Sequence, residues 1–171
     1  MQTLKSLIVV IVLFTAVLNA QHKYVGVKMC KMCHQTEKIG KQFDIWQKSP
    51  HAKAFETLKS AAAEKIAKDK GLTKSAAESP ECLECHAITA DPKLIADGVQ
   101  CESCHGAGSD YKNMTVMKDH AKAVAAGLTD FKDKAAMEKA CKQCHNAKSP
   151  TVKEFKFDEM WAKIKHPIPK G

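Results

Sequence analysis

The strongest constraint on this chain is the arrangement of its eight cysteines, which all fall into Cys-x-x-Cys pairs followed directly by histidine. At this spacing two thiols can add to the two vinyl groups of a haem, and the next imidazole can bind the iron. The four motifs are Cys30-Lys-Met-Cys33-His34, Cys82-Leu-Glu-Cys85-His86, Cys101-Glu-Ser-Cys104-His105 and Cys141-Lys-Gln-Cys144-His145. The sequence therefore predicts four covalently attached c-type haems, each with the motif histidine as an iron ligand.

Three other uses of paired cysteines were weighed against haem attachment. The second and third pairs have a spacing seen in zinc ribbons, an exported chain could form four disulfides, and Cys-x-x-Cys pairs can be redox-active thiols. None of these requires a histidine after every second cysteine, so haem attachment is the favoured interpretation.

The histidines outside the motifs are candidates for the second axial position of each iron. Four remain, namely His22, His51, His120 and His166. His51 shares an apolar helical face with Phe55, His120 falls in a predicted helix, and His166 follows an amphipathic one. These three are predicted to be distal iron ligands. His22 is close to the predicted mature N-terminus, where chains are usually poorly ordered, and is not predicted to bind iron.

One haem is consequently expected to lack a histidine in its sixth position. A methionine is an alternative ligand for it, although nothing in the spacing of the methionines favours one of them. The candidates are Met29, Met32, Met114, Met117, Met137 and Met160.

Residues 1–20 have the pattern of a secretory signal peptide, with Lys5 before an apolar run and Ala20 at the predicted cleavage site. An uncleaved membrane anchor is the alternative, but the apolar run is short for a bilayer span. We expect residues 21–171 to form one tetrahaem cytochrome c domain, exported to the periplasm or beyond the cell, with no membrane span after cleavage.

The apolar periodicity predicts a mainly α protein, in which helices and loops surround four haems with little or no sheet. Ser49-Pro50 is typical of a helix start, and this helix is expected to continue to about Asp69. Further helices are expected at about 112–126, from about Asp133 into the fourth motif, and at about 158–165.

All 27 basic residues are lysines, and the formal net charge is +8. A basic chain can bind nucleic acid, but arginine usually dominates the reading of guanine and phosphate. The absence of arginine and an aromatic content of only 6% argue against nucleic-acid binding. Part of the lysine excess is expected to balance the haem propionates.

Three stretches resemble the tetrahaem cytochrome c554 family. They are Trp46-Gln-Lys-Ser-Pro-His51-Ala-Lys-Ala-Phe, Gly98-Val-Gln-Cys101-Glu-Ser-Cys104-His105-Gly-Ala-Gly108 and Phe155-Lys-Phe-Asp-Glu-Met160. The resemblance implies distal ligands at His51, His120 and His166.

The same resemblance implies a pairing of ligands and a set of partners. It suggests His120 on the first haem, His51 on the third and His166 on the fourth, and it leaves the haem on His86 five-coordinate. It also implies electron transfer in the periplasm, with a multihaem oxidoreductase such as hydroxylamine oxidoreductase as donor.

The leading hypothesis is an electron carrier rather than an enzyme, passing electrons to a downstream cytochrome or a quinone-linked acceptor. One alternative is reduction of a small molecule such as nitric oxide at an open haem on His86. The other is a homo-oligomeric cytochrome filament, in which His22 of one copy completes a haem of the next.

Overall fold

The computed structural model describes residues 22–151 and 154–168; the predicted signal peptide lies outside them. Across the described residues the chain forms short helices joined by loops and contains no strand, which confirms the predicted mainly α class. None of the described helices is long and apolar enough to cross a membrane. The α-helices are α1 (Val27–His34), α2 (Gln42–Lys48), α3 (Ala54–Thr57), α4 (Ala61–Asp69), α5 (Pro80–His86), α6 (Cys101–His105), α7 (Met114–Met117), α8 (His120–Ala125), α9 (Lys134–Cys141) and α10 (Phe157–Ile164).

The helix expected from Ser49 to about Asp69 is broken in the structure, so this prediction was wrong in its extent. Pro50–Lys53 form a 3₁₀ turn, α3 adds one α-helical turn, and α4 starts afresh at Ala61. The cause is Ser60, whose hydroxyl donates to the carbonyl of Thr57 and accepts from the amide of Ala63. A serine in this position ends one helix and caps the next.

The helix expected over 112–126 is also two helices, α7 and α8. Asp119 separates them, because its carboxylate accepts from the amide of Lys122 and caps α8. His120 is therefore the first residue of a helix rather than a residue in the middle of one.

Two predicted helix boundaries are confirmed. Asp133 caps α9 by accepting from the amide of Ala136 at 2.8 Å. The last helix, α10, begins and ends within one residue of the predicted range.

The apolar core formed by the chain itself is small. Its cluster of buried side chains brings together α4, α5 and the turn after α3, and consists of Leu58, Ala67, Ala76 and Leu83. A core of this size stabilises only part of a domain of this length. The remaining helices surround the cysteine motifs, where we expect covalently held haem to provide the missing apolar mass.

The loop before the third motif lies directly against the first distal histidine candidate. The indole of Trp46 donates to the carbonyl of Val99 at 2.8 Å, and the amide of Val99 donates to the carbonyl of His51 at 3.1 Å. Gly98 makes this approach possible, because a Cβ atom there would lie 2.8 Å from the His51 carbonyl oxygen.

We expect Gly98→Ala to destabilise the holoprotein more than Gly71→Ala. Both glycines have positive φ, +67° and +70°, which strains any other residue, and Gly98 also has ψ of −143°, close to a backbone region that is essentially limited to glycine. Only Gly98 adds a backbone clash, which should cost at least about 1 kcal/mol more. Guanidinium denaturation of both variants measures the difference, and equal losses would mean that the 98–99 loop does not pack closely on His51.

Candidate haem-binding site

Two pairs of histidine rings lie close together in the structure, with interplanar angles of 57° and 41°. The ring centroids of His51 and His145 are 6.0 Å apart, and those of His105 and His166 are 5.9 Å apart. Each pair combines one motif histidine with one predicted distal histidine. The structure thus brings together two of the three predicted distal ligands with motif histidines.

The spacing of these rings fits an iron held between them. Two metal–imidazole bonds of about 2 Å, together with the distance from each nitrogen to its ring centre, separate two axial imidazoles by about 6 Å. Rings in direct stacking contact lie closer, as His145 and Phe155 do at 4.9 Å. The residues present therefore fit haem at the third and fourth motifs.

The protonation of these rings also suits metal binding, which needs a neutral imidazole. Burial, together with the neighbouring His166 and His34, lowers the pKa of His105 to about 4. Burial lowers the pKa of His51, and His145 adds to this effect. Burial lowers the pKa of His145 as well. At neutral pH these rings keep a nitrogen lone pair for a metal.

The two pairs differ from the pairing that the family resemblance suggested. The resemblance put His51 on the third haem and His166 on the fourth, whereas the structure exchanges them. His51 lies beside His145 of the fourth motif, and His166 lies beside His105 of the third. The haem that each of these two histidines serves stays a prediction, and the ring contacts favour the exchanged pairing.

Short polar contacts fix the segment that carries His166. The side-chain amide of Gln42 donates to the carbonyl of Pro167 at 2.9 Å and to the carbonyl of Ile39 at 2.6 Å. Gln42 is buried, so these bonds tie the end of the described chain to α2 in a site protected from water.

His86 is oriented as a ligand but belongs to neither ring pair. Its Nδ1 lies 2.8 Å from the carbonyl oxygen of Ala54, to which it can donate. A hydrogen bond of this kind fixes the tautomer and leaves Nε2 for a metal.

The structure does not bring His120 together with His34, the motif histidine that the resemblance assigned to it. The Nε2 atom of His120 lies 3.4 Å from a carboxylate oxygen of Asp130, and its side chain is 71% exposed. His34 ends α1 and is half-buried. A ligand role for His120 stays a prediction.

The cysteines show which motifs are neighbours. None of the eight forms a disulfide. Cys30 lies beside Cys101, which raises the pKa of Cys30 and lowers that of Cys101. Burial, with Cys85 close by, raises the pKa of Cys144 to about 12. Burial, with Cys141 close by, raises the pKa of Cys104 to about 11. The first motif therefore adjoins the third, the third adjoins the fourth, and the fourth adjoins the second.

A buried glutamate joins the first and third motifs. Glu102, within the third motif, is 2% exposed. Its carboxylate accepts from the amides of Val25 at 2.9 Å, Gly26 at 2.7 Å and Gly108 at 2.7 Å. Gly26 precedes the first residue of α1, so α6 holds the start of α1 through a carboxylate at its N-terminus.

The sequence interpretation missed three residues that shape this site. Glu102 was read only as a variable residue of its motif, and no local pattern marks it as buried. Phe155 stacks on His145, and its only signal was its place in a stretch that resembles the family. The Oδ2 atom of Asp110 lies 2.7 Å from Nδ1 of His22. The two residues are 88 positions apart in the sequence, so motif spacing could not reveal this contact.

Comparison with known proteins agrees with this geometry. The family model for cytochrome c554 and c-prime matches residues 29–106, which contain the first three motifs and His51. Cytochrome c-554 of Nitrosomonas europaea is 29% identical over 184 aligned positions, covering 86% of this chain and 76% of that protein.

The chain is thus similar to the cytochrome c554 family in the region of its first three motifs, and to one cytochrome c-554 over most of its length. It is therefore a haem-based electron-transfer protein with covalently bound haem c. No solved structure matches the chain.

We expect Glu102→Gln to destabilise the holoprotein by about 1–3 kcal/mol, because an amide NH₂ would then face backbone donors in a buried site. Glu84→Gln is the control, since Glu84 also lies between the two cysteines of its motif but its side chain is 55% exposed. The control should change the free energy of unfolding by less than about 0.5 kcal/mol. Denaturation monitored at the haem absorption band compares the two, and equal losses would contradict the bridging role.

Proposed function

We propose that this protein is a periplasmic electron carrier with one haem c at each of its four motifs, exported by a signal peptide over residues 1–20. The observation that carries the proposal is the pair of facing histidine rings at the third and fourth motifs, 5.9 and 6.0 Å apart. Facing imidazoles are the ligand set of haems that pass electrons rather than bind substrate.

The haem irons supply one-electron redox chemistry when bound. The chain contributes the ligands, their orientation and the exclusion of water. We assign His51 with His145 and His166 with His105 as axial pairs. The carbonyl of Ala54 orients His86, and the ring of Phe155 covers one face of the His145 imidazole.

The neighbouring cysteines support an order of attachment sites along the protein. The first motif adjoins the third through Cys30 and Cys101, and the fourth adjoins the second through Cys144 and Cys85. Cys104 and Cys141 link the third to the fourth. The resulting order is first, third, fourth, second, which makes the first and second motifs the two ends of the path.

We propose that His120 serves the first motif and that His86 has no histidine opposite it, as the resemblance implies. His22 is engaged within its own chain, where its Nδ1 contacts Asp110 and its ring packs on Gly127. On the described residues, no observation favours a reaction at His86 or a filament over electron transfer. A multihaem oxidoreductase donor and a cytochrome or quinone-linked acceptor suit a carrier of this kind.

A pyridine haemochrome assay combined with intact mass tests the cofactor content. We expect four haems per chain, because each motif has both thiols and the adjoining histidine. Cys82→Ala with Cys85→Ala should reduce the count to three. Two or fewer haems in the unchanged protein would overturn the proposal.

The ligand pairs can be tested by electron paramagnetic resonance of the oxidised protein. We expect His51→Ala to convert one low-spin haem to high spin, since His145 would then be the only protein ligand of that iron. The same substitution should have no further effect when Cys141→Ala and Cys144→Ala have removed the fourth haem. If removal of the third haem through Cys101→Ala and Cys104→Ala abolishes the effect instead, His51 serves the third motif.

A further inference from the structure

The exposed side of α1 combines apolar and basic side chains. We call the α1 face the surface formed by Lys28, Met29, Lys31 and Met32. Met32 is 64% exposed and Met29 is 38% exposed, while Val27 on the opposite side of the helix is buried. The Nζ atom of Lys31 lies 4.9 Å from the Phe43 ring centroid, which holds its charge close to the surface.

The chain around this face is strongly basic. Residues 22–41 contain five lysines and a single acid, Glu37, which is already paired with Lys41. Within the described chain, Lys28, Lys31 and Lys38 form no ion pair with an acid. Their charges are therefore available to an external partner. The five lysines are Lys23, Lys28, Lys31, Lys38 and Lys41.

The α1 face belongs to the motif at one end of the proposed path. Its helix carries Cys30 and Cys33, the cysteines of the first motif. In the proposed order of attachment sites the first motif stands at one end of the path, next to the third motif, whose helix α6 contacts α1. A partner that docks on the α1 face would lie at one end of that path.

The segment that carries the second motif is acidic in sequence, although Lys148 pairs with Glu84 and Lys74 lies near Glu81. Residues 78–97, which surround the second motif, contain one lysine, Lys93, against five acids. The five acids are Glu78, Glu81, Glu84, Asp91 and Asp97. The positive net charge is therefore not spread evenly over the protein. A partner guided by charge can distinguish the two ends.

We propose that the α1 face is the docking surface for an acidic redox protein, with Met29 and Met32 at its centre and the lysines at its rim. The proposal rests on the electron-carrier function and adds to it the place and the charge of one partner. An apolar centre with a charged rim is the ordinary anatomy of a protein interface, and transient redox complexes bury little area. The basic rim excludes a basic partner and steers an acidic one.

Two other occupants fit the face less well. An anionic membrane would attract the lysines, but α1 has eight residues and two exposed methionines, which is little apolar surface to insert. A second copy could place its acidic second-motif end on the α1 face, but this contact joins different surfaces and would continue into an open chain. A soluble acidic partner matches the charge of the face, and it requires neither insertion into a membrane nor an open chain of copies.

The test measures the rate of electron transfer from the reduced holoprotein to two forms of horse-heart ferric cytochrome c in a stopped-flow instrument. The succinylated form is acidic and the native form is basic, while size and haem are the same. The variant carries Lys28→Gln, Lys31→Gln and Lys38→Gln. The matched control carries Lys68→Gln, Lys74→Gln and Lys118→Gln, three exposed lysines with the same total charge. Haem content is measured for each protein first.

We expect the α1 variant to react with succinylated cytochrome c at least about 10-fold more slowly at low ionic strength, and the control less than about 3-fold more slowly. The difference should vanish in high salt, because the charges are then screened. Equal rates for the two variants would overturn the docking surface. If the unchanged holoprotein transfers no electrons to either form, the electron-carrier function fails instead.

The competing occupants are tested with the same proteins. Sedimentation with phosphatidylserine vesicles that requires the α1 lysines, with unchanged electron-transfer rates, would assign the face to a membrane. A concentration-dependent increase in mass in light scattering that the α1 variant loses would assign it to a second copy. Either result would overturn the proposal.

Discussion

The carboxylate of Glu102 is the contact on which the arrangement of the first and third motifs depends. Burying a charged carboxylate costs several kcal/mol unless hydrogen-bond donors replace water around it. Here the amides of Val25, Gly26 and Gly108 do so, and the start of α1 adds its dipole. One side chain thus holds the segment before the first motif, α6, and the glycine loop after the third motif.

The cysteine motifs were predictable because their chemistry is local. Two thiols and an imidazole must lie within one helical turn, so the sequence alone identifies each attachment site. Counting histidines also singled out His51 and His166, whose rings lie near motif histidines in the structure. Which motif histidine each of them lies beside was not predictable, because it depends on contacts far apart in sequence. Val99 donates to the carbonyl of His51, and Gln42 holds Pro167, and neither contact leaves a periodic signal.

The helix breaks show a second limit of the sequence interpretation. Apolar periodicity continues through Ser60 and Asp119, so each region read as one long helix. In both cases a short polar side chain accepts a backbone amide three residues later, which starts a new helix. These caps determine the helix boundaries here, because the chain has little apolar core that would stabilise a long straight helix. Short helices can instead follow the curved outline of several haem groups.

The charges near the first and second motifs indicate where partners of different charge would bind. The first motif lies in a lysine-rich region and the second in an acid-rich one, and the two are separated by the third and fourth motifs. Fields from exposed charges decay over about 8–10 Å at physiological salt, so each end presents its own sign to an approaching protein. A carrier with such ends can bind two partners of opposite charge at different places. It then need not release one partner and rotate before it meets the other, if electrons follow the proposed path between the motifs.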